Sequence, residues 1–248
     1  MKAVFHLPYR ALEGFARSLM HLMDLPLPIP DHSHRSRRGR TLQVVIPRQA
    51  RPGPIHVVVD STGLKVYGAG EWKVRQHGAG RRRTWRKLHL AVDADAKDVI
   101  AVEVTTTAWT DSEVFPGRLG QSEGPIGQVD ADGAYDTRAV YAAGQARGAT
   151  VVVPPRANAV AWAPEHPRTR ALAEIAEQGL AAWKEATGYH QRSLAENAIY
   201  RFKPLFGDRL ACRQFNTQVT EVHARIAALN TMTYLGMPVS VRVWVTAA

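Results

Sequence analysis

The spacing of apolar residues predicts a helical N-terminal segment, a linker, and then alternating strands and helices. Apolar residues recur at helical spacing within residues 5–25, and three prolines end that pattern. Residues 26–54 are rich in proline and arginine, which is typical of a linker, and one short strand is predicted there at 42–46. We therefore place a compositional boundary near residue 50.

Five apolar runs beyond that boundary have the length of strands. They cover residues 55–60, 85–93, 99–106, 126–132 and 150–155. Helical patterns cover residues 111–119, 134–147, 168–179, 181–203 and 216–235. A short turn between the second and third runs predicts an antiparallel hairpin, whereas the helix between the fourth and fifth predicts a parallel crossover. This order is that of a ribonuclease-H-like α/β domain, with a mixed five-stranded sheet flanked by helices.

The charge of the chain points to nucleic acid as a partner. The chain has 32 Lys and Arg residues against 22 Asp and Glu residues, a formal net charge of +10. Two basic clusters, at residues 35–40 and 73–87, lie in glycine- or serine-rich sequence that predicts loops, and tryptophans interleave the second. The candidate DNA-binding residues of the second cluster are Arg75, Arg81, Arg82, Arg83, Arg86 and Lys87. The alternative is a basic surface that only keeps these loops solvated.

Cysteine content and hydropathy exclude other classes of protein. The single cysteine, Cys212, excludes an intramolecular disulfide and a cysteine-rich zinc module. The charged residues near the N-terminus are not typical of a secretory signal. No run approaches the ~18 uncharged apolar residues of a membrane-spanning helix. We therefore expect a cytoplasmic protein with no membrane partner.

Three acidic residues stand out by their position. Asp60 ends the first predicted strand, Asp132 ends the fourth, and Glu196 lies within a predicted helix. The ends of the first and fourth strands can be neighbours in the predicted sheet, and a helix across the sheet can add the third carboxylate. Three carboxylates suit Mg²⁺, and two such ions ~4 Å apart can activate a nucleophile and stabilise a leaving oxygen. The alternative is that each aspartate caps a turn, and Asp130 and Asp136 compete with Asp132 for any role.

The predicted helix over residues 181–203 places four polar side chains on one face. At roughly 100° per residue, Tyr189, Arg192, Glu196 and Lys203 fall within an arc of about 60°. One carboxylate flanked by two cations and a phenol suits a site that holds metal and phosphate together. The alternative is a surface helix with an ordinary Arg–Glu pair four residues apart.

Three motifs resemble those of the DDE transposases of bacterial insertion sequences. They are DSTGLKVYG at 60–68, ADGAYDT at 131–137, and the spacing Tyr-x2-Arg-x3-Glu-x6-Lys at 189–203. Surrounding segments such as WRKLHLAVDA and RFKPLFGDRL are similar to insertion-sequence family five in particular. The resemblance covers the chain from about residue 5 onward.

The resemblance implies a ribonuclease-H-like catalytic core with a divalent-metal triad. Matched motif to motif, the catalytic and metal-binding residues are Asp60, Asp132 and Glu196. The residues expected to contact DNA phosphates near the cleaved bond are Tyr189, Arg192 and Lys203. The expected cofactor is Mg²⁺, as two ions, with Mn²⁺ able to substitute.

The implied activity is metal-dependent DNA cleavage and strand transfer. The expected partners are double-stranded DNA, as terminal inverted repeats and target DNA, and a second copy of the chain on that DNA. Similar transposases usually carry a further N-terminal stretch. The resemblance therefore implies that residues 1–50 are a shortened helical DNA-binding region with its basic linker. Residues 51–248 would be the catalytic domain, with an insertion at about 156–180, in a protein acting at the bacterial nucleoid.

Other interpretations stay open at this point. A shortened transposase without catalytic activity could occupy DNA and inhibit a full-length partner. A cellular ribonuclease-H-like nuclease shares the metal chemistry, but the Tyr/Arg/Glu/Lys spacing and the basic clusters count against it. Trp162, within the predicted insertion, could stack on an unpaired base, although a packed or simply exposed tryptophan is the alternative.

Overall fold

A computed structural model describes residues 1–66 and 85–236 of the chain. The N-terminal segment forms three helices: α1 (Lys2–Phe5), α2 (Tyr9–Leu22) and α3 (His32–Arg38). The helix predicted over 5–25 is therefore divided, because Pro8 has extended backbone angles and stands immediately before α2.

Two predictions for the linker are wrong. Much of the first basic cluster is helical rather than a loop, because the carboxylate of Asp31 accepts hydrogen bonds from the backbone N–H groups of Ser33 and His34 and caps α3. No strand forms at residues 42–46, all of which the structure describes. Ile46 instead packs its side chain against the core without joining the sheet.

The described residues form a six-stranded mixed sheet. The strands are β1 (Ile55–Val66), β2 (Trp85–Asp93), β3 (Val99–Thr106), β4 (Ile126–Asp130), β5 (Thr150–Val152) and β6 (Arg209–Leu210). The order is β3-β2-β1-β4-β5, with β6 pairing with β1. β1, β2 and β3 are antiparallel neighbours, whereas β4 runs parallel to β1 and β5 runs parallel to β4. This is the predicted ribonuclease-H-like topology. The sixth strand was not predicted, because two residues carry no detectable periodicity.

Helices cover both faces of the sheet. The later helices are α4 (Asp111–Gln121), α5 (Arg138–Ala146), α6 (Pro167–Ala186), α7 (Ser193–Phe206) and α8 (Phe215–Leu235). Val57 and Val59 of β1 belong to the core under α4 and α5, whereas Val58 belongs to the core under α7 and α8. Because side chains alternate along a strand, Asp60 continues the face of Val58 and Ser61 continues the opposite face.

The N-terminal segment is not separated from this body. Ala3 and Val4 of α1 pack against the core under α7 and α8, and Ile46 of the linker does the same. None of the helices in the described part of the chain has the length and apolar character needed to cross a membrane.

The prediction of one long helix over residues 181–203 is wrong. α6 runs to Ala186 and is kinked at Gly179, and a 3₁₀ turn (Tyr189–Arg192) separates it from α7. The break falls at Gly188, whose φ of 70° lies in the left-handed region that glycine adopts without steric cost. Pro204 does not end α7, because it lies in the last turn and the helix continues to Phe206.

Candidate active site

The first carboxylate of the candidate site is Asp60, which lies in the middle of β1. The prediction that the first strand ends at Asp60 is wrong, because pairing with β2 continues the strand to Val66. Its Oδ1 atom accepts a hydrogen bond of 2.8 Å from the backbone N–H of Ser61, which orients the side chain. Burial raises the pKa of Asp60, and the nearby charges of Asp132 and Glu196 add to that rise. The Ser61 N–H and the Arg192 guanidinium act in the opposite direction. Asp60 is thus a carboxylate whose ionised form needs a positive partner.

The second carboxylate, Asp132, lies two residues beyond the end of β4. Its Oδ1 atom accepts a 2.8 Å hydrogen bond from the N–H of Ala134 and caps the 3₁₀ turn Gly133–Tyr135. The alternative interpretation of Asp132 as a turn cap is therefore correct for one oxygen. The other oxygen faces Arg192, and the side chain is 40% exposed. A strand predicted to reach 132 ends at Asp130 because this turn begins there.

Arg192 brings these two carboxylates together with a third. One guanidinium nitrogen lies 3.9 Å from Asp60 Oδ2 and 3.9 Å from Asp132 Oδ2. A second nitrogen donates a hydrogen bond to Glu196, in the first turn of α7. β1, the turn after β4 and the start of α7 therefore supply three carboxylates to one cation. Burial opposes the charge of Arg192, yet its acidic neighbours raise the pKa of the guanidinium overall.

Tyr189 and Lys203 occupy different surroundings from Glu196. Tyr189 is buried against Trp183 of α6, and burial raises the pKa of its phenol to about 12. Lys203 lies in the last turn of α7, roughly two turns beyond Glu196. The prediction of four residues on one helix face fails, because Tyr189 and Arg192 belong to the preceding 3₁₀ turn. Arg192 and Glu196 are nevertheless hydrogen-bonded to each other.

Comparison with known protein families identifies the chain. A family model described as the transposase DDE domain matches residues 51–231, well over half of the chain, and a second model of the same description matches residues 1–69. The chain belongs to the DDE transposase family. The match confirms the resemblance that the three sequence motifs carried.

Two solved structures are similar to this transposase at a distance. One is a piggyBac transposase in a synaptic complex with hairpin DNA, with 8% identity and a TM-score of 0.42 over 72% of this chain and 46% of that one. The transposase thus spans less than half the length of that chain. The other is a simian T-cell lymphotropic virus intasome in complex with the PP2A regulatory subunit B56 gamma. It has 14% identity and a TM-score of 0.32, over 97% of this chain and 80% of that one.

The carboxylates of the transposase have the right chemistry for a divalent metal, but they lie farther apart than the ligands of a bound metal ion. Mg²⁺ takes oxygen ligands at about 2.0–2.1 Å. Within residues 1–66 and 85–236, no group of three His, Cys, Asp or Glu side chains is already close enough to hold a metal ion. The Arg192 guanidinium supplies the positive charge among the three carboxylates, in the place of a metal cation. The donor set therefore fits Mg²⁺ or Mn²⁺, provided that the carboxylates close inward.

The predicted DNA-binding cluster is only partly described. Arg75, Arg81, Arg82 and Arg83 lie outside the described residues. Arg86 donates a 2.7 Å hydrogen bond to Gln218 and lies over the ring of Phe215. Lys87 pairs with Asp111 at 2.7 Å. Both described cations are thus engaged within the transposase.

Trp162 is surrounded by the transposase's own side chains. The guanidinium groups of Arg138 and Arg168 lie 4.4 and 4.2 Å from its ring centroid. Tyr141 and His166 meet the ring edge-to-face. These contacts favour the packed alternative for Trp162 over stacking on a base.

A second polar cluster, on the other face of β1, was missed by the sequence analysis, which placed Asp111 only at the start of a helical pattern. Asp111 Oδ2 pairs with Lys87, and its Oδ1 lies 3.1 Å from His89 Nδ1. His89 Nε2 lies 2.9 Å from the hydroxyl of Thr105. Burial lowers the pKa of His89, which favours the neutral imidazole, with Nδ1 facing Asp111 and Nε2 facing Thr105. The available signal was a lysine and a histidine two residues apart, and so on one face of the strand.

Proposed function

We propose that this transposase binds the terminal inverted repeats of its insertion sequence and there cuts and rejoins DNA with divalent metal ions. The observation that carries the proposal is the convergence of Asp60, Asp132 and Glu196, from three separate elements, on one guanidinium. A structural salt bridge needs one carboxylate for one cation. An excess of carboxylates around a central strand is what a metal-dependent site requires.

The three carboxylates would hold two Mg²⁺ ions. Asp60 and Asp132 would bind the ions through the oxygen atoms that face Arg192, and Glu196 would add the third carboxylate. When bound, the metal ions supply an activated oxygen nucleophile and stabilise the leaving oxygen. The hydrogen bonds from Ser61 and Ala134 fix one oxygen of each aspartate and leave the other free for this role.

The same site would catalyse two successive reactions. Attack of water on a phosphodiester at the element's end breaks one P–O bond and leaves a 3′-hydroxyl and a 5′-phosphate. That 3′-hydroxyl then attacks a target phosphodiester, forming one P–O bond and breaking another. Each step exchanges one bond of similar energy, so it needs no ATP and no covalent protein–DNA intermediate.

DNA binding would follow from the excess of positive charge. The net charge of +10 favours association with the phosphate backbone. Arg192, Lys203 and Tyr189 are the described residues that the motif spacing assigns to phosphate contacts, and Arg192 lies among the carboxylates. Pairing two ends implies two copies of the chain on the DNA. Residues 1–50 would assist binding and residues 51–248 would carry the chemistry, in the bacterial cytoplasm.

The test is an incubation of the purified protein with linear DNA carrying the inverted repeats that flank its gene, with and without Mg²⁺. We expect Mg²⁺-dependent cleavage at the repeat ends. Asp60→Asn should lower its rate about 10³-fold or more, because an amide does not replace a metal-binding carboxylate. Glu174→Gln, at an exposed carboxylate of α6, is the matched control and should cleave normally.

DNA binding separates the possible outcomes. Asp60→Asn should bind the same DNA as well as the wild type, as measured by fluorescence anisotropy. Full cleavage by Asp60→Asn would overturn the assignment of Asp60. DNA binding by the wild type without any Mg²⁺-dependent cleavage would instead support a non-catalytic protein, an alternative that the presence and convergence of all three carboxylates does not favour.

A further inference from the structure

Arg192 is held by fewer hydrogen bonds than Arg147, an arginine that supports the fold. Its guanidinium makes one hydrogen bond among the described residues, to Glu196, and approaches Asp60 and Asp132 only at 3.9 Å. Its Nε–H is buried and has no hydrogen-bond partner within residues 1–66 and 85–236, as is also true of one donor in each of Arg118 and Arg225. Arg147, in contrast, donates three hydrogen bonds of 2.8–3.0 Å to backbone carbonyls of residues 119–124. An arginine with unused donors beside an excess of carboxylates is suited to leave its position.

The backbone around Arg192 allows the side chain to move without unfolding its neighbours. Arg192 ends the 3₁₀ turn and precedes α7, so its backbone is fixed on both sides. The long side chain reaches from there to carboxylates on two other elements and stays 20% exposed. A change of side-chain rotamer, on a nanosecond scale at exposed sites, is enough to carry the guanidinium toward solvent.

We propose that Arg192 is a displaceable counter-ion of the metal site. The guanidinium balances the charge of the three carboxylates while no metal is bound. When a metal ion binds, the guanidinium leaves the carboxylates and binds a DNA phosphate. The inference rests on the proposed function of the carboxylates as metal ligands. It makes Arg192 a positioning residue that keeps the three carboxylates together until metal and DNA are both present.

Charge explains why the two cations exclude each other. The guanidinium lies among the carboxylate oxygens that a metal ion would have to contact at about 2.1 Å. A metal ion and the guanidinium therefore compete for the same oxygens. DNA relieves the competition, because a phosphate offers the guanidinium a bidentate partner. By linkage, DNA should then raise metal affinity, and metal should raise DNA affinity by the same factor.

The test is Mn²⁺ binding to the full chain without DNA, read from the electron paramagnetic resonance signal of free Mn²⁺. Arg192→Gln should bind Mn²⁺ about tenfold more tightly than the wild type, a factor equal to ~1.4 kcal/mol. Arg192→Lys keeps the charge and should stay close to the wild type. Arg170→Gln, which removes one exposed charge from α6, is the matched control and should leave Mn²⁺ affinity unchanged.

A second measurement adds DNA carrying the inverted repeats. We expect DNA to tighten Mn²⁺ binding by the wild type and to change that of Arg192→Gln little. Equal or weaker Mn²⁺ binding by Arg192→Gln without DNA would overturn the inference while leaving the proposed function intact. Failure of the wild type to bind Mn²⁺ even with DNA would instead overturn the proposed function itself. Melting temperatures with EDTA and with Mn²⁺ show whether each variant is folded, and Arg192→Gln should gain more from Mn²⁺.

Discussion

Two polar clusters lie on opposite faces of β1, one residue apart, and they differ in how far the protein satisfies them. On the α7 face, Asp60 shares one guanidinium with two other carboxylates at distances of 3.9 Å. On the α4 face, beside Ser61, Asp111 holds Lys87 at 2.7 Å and His89 at 3.1 Å. We call these the open cluster and the closed cluster.

The difference shows what separates a structural polar network from a site. In the closed cluster one carboxylate has an ammonium partner of its own, Lys87, and faces His89, whose side chain is completely buried. Such a network balances its charge within the protein and stabilises the fold. In the open cluster the carboxylates outnumber the cation, and Glu196 is 55% exposed. Among the described residues, one guanidinium faces these three carboxylates, so an excess of negative charge remains at the open cluster.

The largest effect on stability should come from breaking the closed cluster. Asp111→Asn leaves Lys87 and His89 without their carboxylate, and we expect a loss of about 2 kcal/mol in the free energy of unfolding, below the 3–5 kcal/mol of a fully buried pair because Asp111 is partly exposed. Asp60→Asn should change that free energy by less than about 1 kcal/mol, since it relieves repulsion among carboxylates. Urea unfolding measures both.

The matched pair makes the comparison falsifiable. The two substitutions are chemically identical and change the clusters on the two faces of β1. If Asp60→Asn were the more destabilising of the two, the open cluster would be a structural network, and its assignment as a metal site would lose its main support.

A smaller effect should appear in the pH dependence of stability. Burial lowers the pKa of His89, so the unfolded chain binds the proton at a higher pH than the folded chain. Stability from this group is therefore complete above the unfolded pKa of about 6.5 and falls as the pH drops below it. Asp111 adds a loss at lower pH. Burial would raise its pKa, but the hydrogen bonds from His89 and Lys87 outweigh burial and lower it.

His89→Gln separates the two contributions. The variant keeps a donor and an acceptor but no titrating imidazole, so its unfolding free energy should fall less between pH 7 and pH 5. The change in slope is bounded by about 1.4 kcal/mol per pH unit, the value for one proton. Urea unfolding at several pH values measures it. An unchanged slope would mean that His89 titrates alike in the folded and unfolded chain.

The central part of the open cluster could be predicted from sequence because a buried strand is visible as a local run of apolar residues. The apolar run before Asp60 marks a buried strand, and the strand order then places the end of β4 beside β1. Arg192 and Glu196 were placed together by helix arithmetic that did not apply, since a 3₁₀ turn precedes α7. The contact survives because a 3₁₀ turn leading into a helix keeps residues four apart close.

The closed cluster could not be predicted in the same way. Asp111 follows β3 on a separate helix, and Lys87 and His89 lie on β2, so their contact depends on how α4 packs across the sheet. No local periodicity encodes that packing. The same limit applies to β6, whose two residues gain strand geometry only by pairing with the far end of β1.

The smallest effect compares Lys87 of the closed cluster with Lys203, which lies on the helix that carries Glu196. Lys87 is tied to Asp111, whereas Lys203 extends the face of α7 that carries Glu196. Lys203→Ala should weaken DNA binding by a few-fold and reduce the slope of log affinity against log salt by about 1, because one phosphate contact is lost. Lys87→Ala should leave that slope unchanged and lower stability by about 1 kcal/mol. Anisotropy over a salt series reads the slope, and a reduced slope for Lys87→Ala would show that the closed cluster also meets DNA.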